Sequence, residues 1–154
     1  MPTKTCMITD VTTTSPERTL GHAVDIMEEK QYRLIPVVDG DGKFLGIVNT
    51  ILLIKELLPQ TATMEGGLED LDFLKGATPG VAKKLQKIKQ KKIEDVELEK
   101  CDFVHPDTPM LEALRRLYSH RGPLPVIEED SHKLVGLITI WNVLAKLENH
   151  EILK

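Results

Sequence analysis

Residues 106–142 read PDTPMLEALRRLYSHRGPLPVIEEDSHKLVGLITIWN, and residues 16–52 read PERTLGHAVDIMEEKQYRLIPVVDGDGKFLGIVNTIL. The two stretches share one grammar 90 positions apart: Pro16 matches Pro106, Ala23 matches Ala113 and Gly46 matches Gly136. Leu20, Ala23, Val24 and Met27 stand at i, i+3, i+4 and i+7, as do Met110, Ala113, Leu114 and Leu117. Each set makes one apolar face of a helix. After each helix come an apolar run, 34–38 or 124–127, a polar turn, 39–42 or 128–133, and a second apolar run, 44–48 or 134–138. Two β-rich runs across a turn predict a hairpin. An amphipathic helix closes each unit, over 51–58 and 140–147, and an opening strand is expected near 11–14 and 103–104.

The predicted fold class is therefore α+β, close to α/β. Its unit, strand–helix–strand–strand–helix, occurs twice, at residues 1–58 and 101–154. One such unit cannot cover a three-stranded sheet with two helices, so the two are expected to pack as a pseudo-symmetric pair with clefts at their seam. Thr108 and Pro109 predict an N-cap followed by proline in the first helical turn, and Ser15 or Thr19 serves the first repeat. Residues 59–100 differ in character and predict a helical insertion, punctuated by Gly66-Gly67 and Thr78-Pro79-Gly80. Val81, Leu85 and Ile88 give it a helix face. Lys83, Lys84, Lys87, Lys89, Lys91 and Lys92 form a basic run before the acids Glu94, Asp95, Glu97, Glu99 and Asp102.

Bulk composition narrows the function classes. With 41% hydrophobic and 29% charged residues the chain reads as a soluble globular protein, and with only 4% aromatics its core must be aliphatic. A net charge of −4 offers no global attraction to nucleic acid. The longest apolar stretch, 47–58, is interrupted by Asn49, Thr50, Lys55 and Glu56 and is too short to span a bilayer. Met1-Pro2-Thr3-Lys4 does not open a signal peptide. Cys6 and Cys101 lack metal spacing, so a reduced, cytoplasmic protein is expected. No glycine-rich phosphate loop, Gly-x-Ser-x-Gly or paired zinc ligands occur in the sequence, and no enzymatic activity is expected.

The order of helix, apolar run containing proline, Asp-Gly turn, and Gly-h-h-Thr-x-x-Asn closing onto a helix resembles the cystathionine-beta-synthase (CBS) domain. Two in tandem resemble the regulatory pair called a Bateman module, over roughly 8–58 and 101–149. The resemblance implies binding of an adenosine-containing ligand (AMP, ADP, ATP or S-adenosylmethionine) as a regulatory ligand rather than an obligatory cofactor, in a cleft between the repeats. It places a hydroxyl near phosphate or ribose and an amide on the ribose diol; here these are Thr139 and Asn142, within Gly136-Leu137-Ile138-Thr139-Ile140-Trp141-Asn142. A threonine at a helix start suits phosphate, because backbone N–H groups and the helix dipole favour an anion. An amide lacks the charge-assisted bonding of the commoner aspartate, so weaker binding is expected. The first repeat carries Asn49 and Leu52 at these positions, and leucine cannot hydrogen-bond a diol. One competent site is therefore expected, built by the second repeat. By the same resemblance adenine would be held by Phe103, Val104, Gly122, Pro123, Leu124 and Pro125, while Arg33, His120 or Arg121 would reach a phosphate. A homodimer and an effector protein are implied partners.

Plainer readings stand beside these. Thr139 caps a helix whether or not anything binds, and Asn142 can be an ordinary first-turn residue. Asp39-Gly40-Asp41-Gly42 resembles the start of a calcium loop, but its twelfth position is Thr50, so a hairpin turn is the expected structure. The five histidines show no metal spacing, Arg33 suits a solvated strand end, and Trp141 suits an edge or dimer seam. The lysine run reads first as a solvated helix face and second as a partner or polyanion contact. The rival to the sensor is a structural adaptor dimer with decayed nucleotide sites, working through 59–100.

Overall fold

The computed structural model describes residues 1–58 and 78–150. Its elements are α1 (Leu20–Lys30), β1 (Leu34–Val38), β2 (Phe44–Asn49), α2 (Thr50–Leu57), α3 (Thr78–Gln90), α4 (Met110–His120), β3 (Leu124–Ile127), β4 (Leu134–Ile138) and α5 (Ile140–Glu148). Short 3-10 turns occur at Thr3–Thr5 and Ile93–Asp95. Helix–hairpin–helix thus occurs twice, as the spacing predicts. By contacts the chain falls into two units that interleave in sequence: Met1–Thr13, Pro36–Gly46 and Lys100–Lys154 in one, Thr14–Ile35 and Ile47–Glu99 in the other. Residues 1–13 therefore group with the second repeat.

The first of these, the β3–β4 unit, is built on an antiparallel hairpin pairing Leu124 with Ile138 and Val126 with Gly136, irregular after Val126. Each edge is extended by one bridging residue: Val104 lies parallel to Val126, and Ile8 antiparallel to Leu137. The expected opening strands contract to such single bridges, at Thr14 and Val104. Pro16 and Pro106, two residues on, cannot donate to a ladder. Alternate residues of β3 and β4 reach a core of Cys6, Val104, Ala113, Leu117, Leu124, Val126, Ile138 and Val143.

The N-terminal segment is stitched to this unit. Thr3 N and Oγ1 both donate to Thr108 O (2.8 and 2.7 Å), and Lys4 N donates to Pro106 O (2.9 Å). Ile8 and Leu137 exchange both backbone bonds, at 2.8 and 2.9 Å. This corrects the expected cap of α4. Pro109, not Thr108, is the N-cap and offers no side-chain bond; the Thr108 hydroxyl accepts from His105 N instead. The open N–H of Met110 donates to Met1 O at 2.9 Å.

In the other unit, here the α1–α3 unit, Leu20, Ala23, Met27, Ile47, Leu52, Ile88 and Ile93 are buried. Thr19 caps α1 by accepting from His22 N. The insertion contributes α3, whose Ile88 is buried, while residues 59–77, including Gly66-Gly67, lie outside the described residues. The turn joining β1 to β2 is held by Asp39, whose carboxylate accepts from Asp41 N and Lys43 N at 2.9 Å each, with Gly42 at φ +84°. That carboxylate oxygen is committed to the backbone, as a hairpin turn requires.

Candidate functional site

The site begins with the step from β4 into α5. Gly136 lies so close to the N-terminal segment that a Cβ there would stand 2.7 Å from Ile8 O and 2.8 Å from Met7 Sδ. Three residues on, extended Thr139 (φ −126°, ψ 161°) is the N-cap of α5. Its Oγ1 accepts from Asn142 N at 3.3 Å and donates to Asn142 Oδ1 at 2.5 Å. The Thr139 hydroxyl thus caps the helix and holds the Asn142 side chain at once. Asn142 also lines an open groove of about 590 Å³ with Thr5, Cys6, Met7, Ala145, Lys146 and Asn149. The groove wall carries one cation, two amides and a hydroxyl, with no carboxylate, a composition suited to a polar or anionic ligand.

Thr5, Cys6, Met7, Lys146 and Asn149 were not among the residues singled out from sequence. Lys146 and Asn149 follow Asn142 by four and seven positions on one helix face, so periodicity could have found them. Nothing in the sequence signals the approach of Thr5 to Met7.

The remaining expected contacts lie elsewhere. Val104 and Leu124 have their side chains in the core, at 1% and 0% exposure, and Pro125 is also buried. Only their backbone is available to a ligand, and Val104 N already donates to Pro125 O. Phe103 is half-buried, edge-on to the rings of His105 and His132 at 5.7 Å each, and its carbonyl accepts from Arg116. Gly122 and Pro123 are half-buried; an added Cβ at Gly122 meets nothing, and Arg121 rather than Gly122 takes the left-handed turn (φ 61°). None of these lines the Asn142 groove. Arg33, in the α1–α3 unit, is exposed and forms no ion pair among the described residues.

The first-repeat counterpart differs as its sequence predicts. Asn49 caps α2, its Oδ1 accepting from Leu52 N at 2.9 Å, and Leu52 is a core residue at 1% exposure. The lysine run is largely occupied within its own unit. Lys89 pairs with Asp25 (3.6 Å), Lys91 with Glu56 (3.6 Å) and Lys92 with Glu94 (4.0 Å), and Lys84 donates to Leu58 O. Burial pushes the Cys101 thiol up to about 11, so it carries no thiolate near neutrality. Among the described residues no three His, Cys, Asp or Glu converge on a metal position, and no helix is long and apolar enough to cross a membrane.

Comparison with known proteins places these features in context. The family model described as CBS domain matches residues 4–58 and 93–149. The chain is 28% identical over 140 residues to inosine-5'-monophosphate dehydrogenase of Methanocaldococcus jannaschii, covering 91% of this chain and 22% of that protein. It spans 22%, 58% and 30% of the lengths of the curated relatives it matches. The structure of CBSX2 in complex with AMP superposes with a TM-score of 0.67 at 22% identity, covering 96% of each chain. The CBS domain pair of protein MJ0100, in complex with 5'-methylthioadenosine and S-adenosyl-L-methionine, gives 0.59 at 17% identity, covering 97% of each.

Proposed function

The chain belongs to the CBS domain family, and from that premise we propose that it is a regulatory module that binds an adenosine-containing ligand at the start of α5. The observation that carries this reading is Asn142, hydrogen-bonded to Thr139, lining a groove whose wall holds no carboxylate. Neighbouring CBS pairs hold AMP, or 5'-methylthioadenosine with S-adenosylmethionine, which supports that ligand class. Asn142 exchanges its bond with Thr139 for bonds to the ribose diol, and Lys146 supplies the one cation of the groove. The backbone around Phe103 and Gly122–Pro125 remains the proposed adenine contact. The module is regulatory rather than catalytic, acting by favouring one arrangement of its repeats. It works as a cytoplasmic homodimer that passes occupancy to an effector protein.

Titration calorimetry with AMP, ADP, ATP and S-adenosylmethionine tests the site. One of these should bind the wild type, and Asn142→Ala should weaken it at least tenfold, about 1.4 kcal/mol. Unchanged affinity removes Asn142 from the site. A specific observation keeps a second reading: Thr139 and Asn142 satisfy each other without ligand, and Leu52 leaves the first repeat no diol acceptor. If no compound binds at millimolar concentration, the chain is an adaptor working through the 59–100 insertion.

A further inference from the structure

The internal repeat extends to a short segment that binds each unit like a strap. Thr3–Thr5 and Ile93–Asp95 form 3-10 turns 90 positions apart. Thr3 N donates to Thr108 O at 2.8 Å and Lys4 N to Pro106 O at 2.9 Å; 90 positions on, Ile93 N donates to Arg18 O at 2.8 Å and Glu94 N to Pro16 O at 2.9 Å. Pro2 bridges Pro109 as Lys92 bridges Thr19. The two straps differ in their anchors. The one at 91–99 follows α3, which is pressed against α1: Leu20 N donates to Lys91 O at 2.8 Å, and a Cβ at Gly21 would stand 2.8 Å from Lys89 O. Its buried position is the large apolar Ile93. In the strap at 2–8 the same position is Thr3, which offers less apolar surface to bury. Its other buried side chain, the small Cys6, lines the Asn142 groove.

We propose that residues 2–8 are a releasable strap, clamped onto β4 and α5 by the ligand in the Asn142 groove. The groove has two walls from distant parts of the chain: Thr5, Cys6 and Met7 on one side, Asn142, Ala145, Lys146 and Asn149 of α5 on the other. A ligand seated between them touches both, and its contacts to Thr5–Met7 exist only while the strap is docked. It therefore binds the docked state more tightly and raises its population by that difference in affinity. Ordering the strap costs backbone entropy at every residue, against a few hydrogen bonds and two modest side chains. The docked state thus lies low enough in stability for a ligand to decide it. Release bares both backbone groups of Leu137 at the edge of β4 and the N–H of Met110 at the start of α4, so empty and occupied modules present different surfaces. This inference rests on the ligand site proposed above and names what its occupancy controls.

Hydrogen exchange on the full chain, alone and with saturating AMP or S-adenosylmethionine, tests it, with calorimetry on the same samples to show which compound is bound. With ligand the Thr3, Lys4 and Ile8 amides should exchange about tenfold or more slowly, while the Ile93 and Glu94 amides of the other strap keep their rates. By reciprocity, loosening the strap away from the groove must weaken the ligand. Ile8→Pro removes the donor to Leu137 O, and Thr3→Val removes the hydroxyl that donates to Thr108 O. Each should lower affinity about fivefold or more with an unchanged helical circular dichroism signal. A compound that binds and is weakened by Asn142→Ala, yet leaves the strap amides unprotected or slows both straps alike, overturns this inference alone. Full affinity in both strap variants does the same. If neither compound binds, or Asn142→Ala leaves affinity unchanged, the inference falls together with the site it rests on.

Discussion

Gly136 shows how one missing side chain serves a chain segment far away in sequence. Its neighbours are Ile8 O and Met7 Sδ, and only the sulfur can move aside. Gly136→Ala should therefore destabilise the β3–β4 unit by about 1–3 kcal/mol, in the range of other overpacked sites, and lift the N-terminal segment off β4. Urea unfolding together with hydrogen exchange at the Ile8 and Leu137 amides checks this; both amides should lose protection together. Gly122, which meets nothing, should accept alanine without such loss. The same scale separates the two repeats at the ribose position, where Asn142 faces a groove and Leu52 a core. Gln31 and Arg121, 90 positions apart, both close their helices in the left-handed region at φ 59° and 61°. The repeat therefore extends to backbone conformation that the side chains do not advertise.

At the scale of elements, α4 carries a test of its own electrostatics. Hydrogen bonds from Arg115 first and Arg116 second hold the Glu112 carboxyl down to about 2, and a glutamate in the first turn also meets the positive end of the helix dipole. A carboxyl that titrates near 4.5 unfolded and about 2 folded adds stability above pH 4.5 and loses it as pH falls toward 2. The stability difference between wild type and Glu112→Gln, measured by urea midpoints, should be larger at pH 6 than at pH 3; the group is solvent-exposed, so the difference is small. A gap that stays constant over that range would show that the ion pairs contribute nothing. Helices and hairpins were legible in the sequence because their signal is local: apolar residues at i, i+3, i+4 and i+7, and Asp39 ahead of Gly40 and Gly42. The cap of α4 was not, because its partner is Met1 O, which no neighbouring residue announces. The site was legible to the same extent. The Thr139–Asn142 spacing named its polar pair, while Thr5, Cys6 and Met7 came into view only when the fold brought them to it.

For the molecule as a whole, the boundaries that the repeat suggests and the units that contacts define differ at the N-terminus and at Pro36–Gly46. Residues 1–8 work for the second repeat, giving it a strand edge, a helix cap and a core thiol. Thr3 is fully buried and its hydroxyl donates to Thr108 O at 2.7 Å. Thr3→Val keeps the shape and removes that bond, and should cost about 1–2 kcal/mol. Thermal unfolding followed by Trp141 fluorescence should show the loss in the β3–β4 unit. An unchanged midpoint would mean that the segment is not anchored there. Thr3 and Thr108 are 105 residues apart. At about 5–20 residues per second a ribosome delivers the second some 5–20 s after the first. Thr3 and its neighbours thus wait for partners made much later, and until then the nascent chain carries an unpaired strand edge at Ile8 and an uncovered Cys6 side chain that chaperones can meet.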